Sequence, residues 1–352
     1  MQIDKTKPIM LTGATGYVAG WLVKKLLEEG LTVHAAVRDP KNKEKLKYLN
    51  QIAEKSSGTI KYFKADLLAK DSYLEAMKGC ELVYHTASPF SLNIEDAQKD
   101  LIDPALKGTK NVLDSVNKTD TVKRVVLTSS VAAIFGDNKD IESLPNKTLT
   151  EEHWNTSSSL THQPYSYSKK LAEEEAWKIS KEQSRWDLVV INPSLVIGPG
   201  INPFGTSESF NLVKQIGDGT MRAGAPGLIV GGVDVRDLAD AHYNAGFFPD
   251  AEGRHIISNK AVSFVSLAKI LREKYGNSYP FPKKEIPKFL IWLMAPLVGF
   301  ERKMVARNIG YAWNADNSKS IQKLGVRYRP IEESIIDFFQ QMIDNDVFKK
   351  NK

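Results

Sequence analysis

Cysteine is almost absent from this chain. Among its 352 residues only Cys80 carries a thiol, so no disulfide can close within it and a thiolate zinc cluster lacks ligands. A reducing, intracellular setting is the expectation. Histidine is also scarce, with six residues and none at metal-ligand spacing, so no metal is expected. The longest apolar run, Phe289 to Phe300, contains Pro296 and falls well short of the roughly 20 residues that span a bilayer. The opening MQIDKTKPIMLTG has neither the apolar core nor the small-residue cleavage pattern of a signal peptide. No charge of one sign dominates. Lys and Arg total 48 against 42 Asp and Glu, a formal +6, and the lysines are dispersed among acids, as in Lys41 to Lys47. A nucleic-acid binder needs a basic stripe and a recognisable module, and neither is present. Internal repeats and low-complexity tracts are missing too.

What the chain does have is a large apolar fraction, 42%, enough for a substantial core and two lobes. Short apolar runs alternate with helical patterns through the first half. The runs are Ile9 to Leu11, Thr32 to Val37, Ile60 to Lys64, Leu82 to His85, Arg124 to Thr128 and Leu188 to Asn192. Six strands joined by helices predict an α/β fold, a doubly wound parallel sheet with its ligand at the carboxyl ends of the strands. After Pro193 the rhythm changes. Residues 198–232 are rich in Gly and Pro and read as loops around one short helix. Val235 to Phe247 reads as a helix and Ile256 with Ile257 as a short strand. Ser263 to Tyr275, 288–310 and 331–344 then read as helices of a smaller C-terminal lobe. The expected division is 1–192 with about 228–258 as the dinucleotide-binding domain, and 193–227 with 259–352 as the substrate lobe.

The segment MLTGATGYVAGWLVKKLLEEG joins a strand to an amphipathic helix through Gly13, Gly16 and Ala19. Such a turn lets backbone N–H groups at a helix amino end approach a pyrophosphate. Gly13, Thr15, Gly16, Tyr17 and Val18 are therefore cofactor-binding candidates. The second strand ends in AVRDP, where Arg38 and Lys45 suit the 2′-phosphate of NADP(H), although Asp39 offers a ribose acceptor instead. Asp66 and Leu67 after the third strand, Thr86, Ala87 and Ser88 after the fourth, and Pro193, Ser194 and Val196 after the sixth complete the candidate cofactor set. A long Ser, Thr and Asn-rich connection, 137–164, leads to QPYSYSKK. If that segment opens a helix, Tyr165 and Lys169 share a face, with Tyr167 and Lys170 as rivals on a face that looks solvated. Ser129 or Ser130 at the end of the fifth strand would face the same crevice.

GATGYVAG, ADL, LTSS, YSYSK and VINPSLVIGPG, in this order, resemble the extended short-chain dehydrogenase/reductase family with its Rossmann-type fold. AVRDP, GCELVYHTASP, TEEHW and SKSIQKLGVRYRP narrow the resemblance to dihydroflavonol, cinnamoyl-CoA and related carbonyl or methylglyoxal reductases. The resemblance implies Ser130, Tyr165 and Lys169 as catalytic residues and NADP(H) as cofactor. It implies reduction of a ketone or aldehyde, with Lys169 lowering the tyrosine's pKa. Gly108 is preceded three residues earlier by Ala105, where many sugar-nucleotide epimerases have asparagine. A nucleotide-sugar epimerase or dehydratase, a 3β-hydroxysteroid-type dehydrogenase and an NADP-sensing binding module stand as rivals. The expected setting is a cytoplasmic monomer or homodimer acting on a small carbonyl compound, without nucleic acid or a membrane span. Two roles stay open: Phe289 to Phe300 is a buried core helix or a lid, and Arg236 pairs with Asp234 or Asp237 or binds an anionic substrate.

Overall fold

A computed structural model of the protein describes residues 1–88, 95–299 and 301–348. Its strands are β1 Ile9–Thr12, β2 Thr32–Val37, β3 Thr59–Lys64, β4 Leu82–His85, β5 Arg124–Thr128, β6 Asp187–Pro193 and β7 Leu195–Ile197. There follow β8 Ala225–Pro226, β9 Ile229–Asp234, β10 Gly253–Ile257, β11 Lys260–Ser263 and β12 Glu285–Ile286. Seven of them form one parallel sheet in the order β10-β6-β5-β4-β1-β2-β3. The chain direction of winding reverses between β1 and β4, which opens a crevice beyond their carboxyl ends. All six expected strands are present within a residue at either end.

Helices cover both faces of this sheet, which explains the near-continuous burial of its strands. Ile9, Leu11, Leu82 and Tyr84 pack to one side with Leu22, Leu26 and Leu238. Met10, Val83, Val125 and Val190 pack to the other with Leu113, Val116 and Ala176. The C-terminal lobe has its own core around Phe210, Leu267, Ile335, Phe338 and Phe339. It is mostly helical, as expected, with helices at Phe264–Tyr275 and Ile331–Asp344.

Two expectations fail here for local reasons. Residues 229–232, read as loop, belong to β9, which pairs with β7 and β11 in a three-stranded sheet. Its glycines misled because they answer to packing: a Cβ on Gly231 would stand 2.3 Å from the Trp313 ring. The single helix expected over 288–310 is broken into Lys288–Met294, a 3₁₀ turn Ala295–Val298 and Arg302–Asn308. Pro296 and the left-handed Gly299 (φ +79°) interrupt it. Nor is this run a core helix. No residue of Lys288–Met294 is buried, and Phe289 and Leu297 are 68% and 86% exposed. Phe300, its last member, lies outside the described residues.

Candidate active site

The crevice is built from the ends of β1, β4 and β5. Gly13 has φ +69°, a conformation that favours glycine, and a Cβ there would lie 3.0 Å from the Ala87 backbone. Gly16 caps the Tyr17–Glu28 helix without any side-chain cap, so that helix's first N–H groups face the crevice free of an internal competitor. Thr12, not singled out from sequence, organises the opposite wall. Its buried hydroxyl accepts from the N–H groups of Thr86 (3.1 Å) and Ala87 (3.0 Å), and lies 3.0 Å from His85 Nδ1. Burial, reinforced by the Lys169 cation, pulls the His85 pKa down to about 3, which keeps the ring neutral.

Not every cofactor candidate turns the same way. Arg38 and Lys45 are exposed at the rim. Asp66 is exposed and accepts from the Leu68 N–H at 2.9 Å, while Leu67 lines the crevice. The Tyr17 side chain turns elsewhere: its hydroxyl donates to Gly198 O (2.5 Å) and its ring stacks on Phe338, so it clamps the second lobe. Thr15 and Val18 lie on either side of Gly16 at this helix start, and Val18 and Val196 each pack against the core. Pro193 pairs with Ile257, and Ser194 is buried with no hydrogen-bond partner for its hydroxyl among the described residues.

Tyr165 and Lys169 occupy the first turns of Pro164–Lys181, where Pro164 at the first helical position presets φ. Gln163 before it is left-handed at φ 54°, a turn that few non-glycine residues adopt. Lys169 Nζ lies 5.7 Å from the centre of the Tyr165 ring and donates to Ser88 Oγ at 2.8 Å. Ser130 accepts from Ala132 N–H at 3.1 Å and is the side chain that favours the Tyr165 phenolate. The rival pair behaves as a surface pair, with Lys170 3.8 Å from Glu174. Desolvation pushes the Tyr165 pKa up to about 12; the Ser130 contact opposes this and the Glu208 carboxylate adds to it. Desolvation, Ser130 and Glu208 are the influences on the phenol, and the lowering by Lys169 that the resemblance implies is not among them. Desolvation likewise brings Lys169 down to about 8, against the pull of the Glu173 carboxylate.

Glu173 is the residue the sequence reading missed. Its side chain is fully buried one turn beyond Lys169. It accepts from Ser129 Oγ (2.5 Å), Asn192 Nδ2 (2.8 Å), Trp177 Nε1 (3.3 Å) and Arg254 Nε (2.6 Å). Asn192 Nδ2 also donates to Ser130 O at 3.1 Å, which ties the carboxylate to the backbone of the serine. Arg254 in turn donates to Glu151 O and His153 O and stacks on Trp154 at 4.0 Å, which anchors the TEEHW stretch. The spacing of Glu173 four residues after Lys169 was the signal available. This arrangement also separates the two serines: Ser129 serves Glu173, and Ser130 faces the phenol. Arg236, by contrast, is held by Asp234 (2.7 Å) and Asp337 (2.8 Å), which is the structural alternative.

These features have relatives. Residues 9–254 match the NAD dependent epimerase/dehydratase family, and the chain belongs to it. It is similar to cinnamoyl-CoA reductase CAD2 of Medicago truncatula, 39% identical over 78% of this chain and 83% of that protein. Tetraketide alpha-pyrone reductase 1 of Arabidopsis thaliana is 34% identical over 97% of both chains. Among solved structures, yeast methylglyoxal/isovaleraldehyde reductase Gre2 complexed with NADPH superposes with a TM-score of 0.75. It is 29% identical, over 97% of this chain and all of that one.

Proposed function

We propose that the protein is an NADPH-dependent reductase of a ketone or aldehyde carbonyl, resident in the cytoplasm, with Ser130, Tyr165 and Lys169 as its catalytic residues. The observation that carries this reading is the meeting of those three side chains beside the crevice at the ends of β4 and β5, where the Gly13 turn packs against Ala87. Residues 1–192 with about 228–258 hold the dinucleotide, and the remainder forms the substrate lobe. The site fits such a cofactor: the left-handed Gly13, the uncapped helix start at Gly16 and the exposed Arg38 and Lys45 suit a pyrophosphate and a 2′-phosphate. The names of the reductases to which the chain is similar, and the NADPH in the yeast structure, support the same choice.

When bound, the dinucleotide supplies the hydride. Ser130 and Tyr165 donate hydrogen bonds to the substrate carbonyl oxygen and stabilise the charge that grows there. Tyr165, protonated at neutral pH, then releases its proton to that oxygen. Lys169, cationic below about pH 8, compensates the resulting phenolate and holds the cofactor's ribose. A panel of aldehydes, ketones and flavanonols followed by NADPH absorbance tests the activity. Tyr165→Phe should retain NADPH binding and lose turnover by several orders of magnitude; near-normal turnover rejects the assignment. Consumption of no NADPH while a tightly held cofactor recycles would favour an epimerase.

A further inference from the structure

An anomaly of the described surface lies outside the residues that line the crevice. Phe289, Leu290, Trp292, Leu293, Met294 and Leu297 are all exposed on one short helix and the turn after it. Only a thin stripe is anchored, through Ile291 and Ala295 packing on Val305 and Ile309. Scattered exposed hydrophobes need no explanation, but six contiguous ones mark a contact surface.

Charge says what the contact is. Lys283, Lys284, Arg302 and Lys303 are exposed on either side of the helix, and Lys288 lies at its start. Against these five cations the stretch 283–303 holds two acids, Glu285 and Glu301, and Glu301 is turned toward His162 at 3.4 Å. A second copy of the chain, apposed through a two-fold axis, would set this basic rim against itself. An anionic lipid surface complements it. The apolar side chains also stand proud of the surface, as the exposure of Leu297 shows, whereas a protein partner would have to supply a matching groove. Trp292, stacked by the Arg302 guanidinium at 4.4 Å, combines an aromatic body with a cation, a pairing suited to the headgroup boundary. We infer that residues 288–297 form an interfacial ridge that docks the enzyme reversibly on anionic bilayers. No helix among the described residues is long and apolar enough to cross a membrane, so the association is peripheral.

The full chain should cosediment with vesicles of phosphatidylcholine mixed with phosphatidylglycerol, more weakly as salt rises, and poorly with pure phosphatidylcholine. The double variant Leu293→Asp, Leu297→Asp should lose at least about tenfold in partitioning, because charge on the inserted face opposes burial. Lys283→Gln with Lys284→Gln should lose roughly tenfold on the anionic vesicles alone. Both variants alter exposed side chains, and their turnover of a water-soluble substrate should match wild type. Failure of the wild type to bind either vesicle, or equal binding by the Asp variant, overturns the inference. So does a dimer in light scattering that the Asp variant splits, or a raised KM in that variant with vesicle binding intact, since the ridge would then be a subunit interface or a substrate lid.

Discussion

Glu173→Gln tests the electrostatics of the site at one atom. In the proposed mechanism Lys169 acts as a cation, so activity should be lost as pH rises through its pKa, near 8 in this structure. Glu173 opposes the fall caused by burial, and neutralising it must move that loss to lower pH. The size follows from geometry. Residues four apart on a helix have Cβ atoms about 5–6 Å apart. At about 6 Å and an effective dielectric constant of about 20, unit charges interact by about 3 kcal/mol, or about two pKa units. Arg254, 2.6 Å from one Glu173 oxygen, already offsets part of that field, so about one unit should remain. The alkaline limb of kcat/KM, measured by NADPH oxidation, should fall from near pH 8 toward about pH 7. Arg254→Met should move it the opposite way, because the competing cation is gone. Cooperative melting of each variant establishes that the fold persists. An unmoved limb in a folded Glu173→Gln protein refutes the reasoning, and leaves Glu173 a packing residue only.

Further predictions concern the rim and the core. Replacing Arg38 with Ala should raise the KM for NADPH about 10- to 100-fold, the loss of one charge-assisted contact, and leave that for NADH little changed; equal effects on both would reject the 2′-phosphate role. Gly246→Ala, favourable by helix propensity, should instead lower the melting temperature, since its Cβ would fall 2.0 Å from Tyr84 Oη. A melting temperature equal to or above wild type would show that the helix shifts freely. Arg124, 1% exposed, donates to Asp187 at 2.8 Å and to Ala245 O and Phe248 O. Arg124→Ala should cost about 3–5 kcal/mol in denaturant unfolding, and a loss under about 1 kcal/mol would contradict that network.

Periodicity and turn chemistry made most of the frame legible. The six strands, the glycine turn at Gly13 and the Tyr165 and Lys169 spacing are local signals, each carried by residues within a few positions of one another. β9 was hidden because Gly231 answers to Trp313, some eighty positions away, and not to strand propensity. The 289–300 run misled in the other direction: apolar composition implies burial only if some surface is there to cover it.

By itself, then, the sequence determined the doubly wound architecture, the carboxyl-end crevice and the residue types at its edge, because these follow from short-range patterns. The tertiary structure alone decided what Ser129 binds, where Tyr17 points and what surrounds Lys169. It brought Ser129, Glu173, Asn192 and Arg254 from four separate segments to one buried carboxylate. Proton affinities at such a point depend on lost water and on charges contributed by distant parts of the chain, and no linear spacing encodes either.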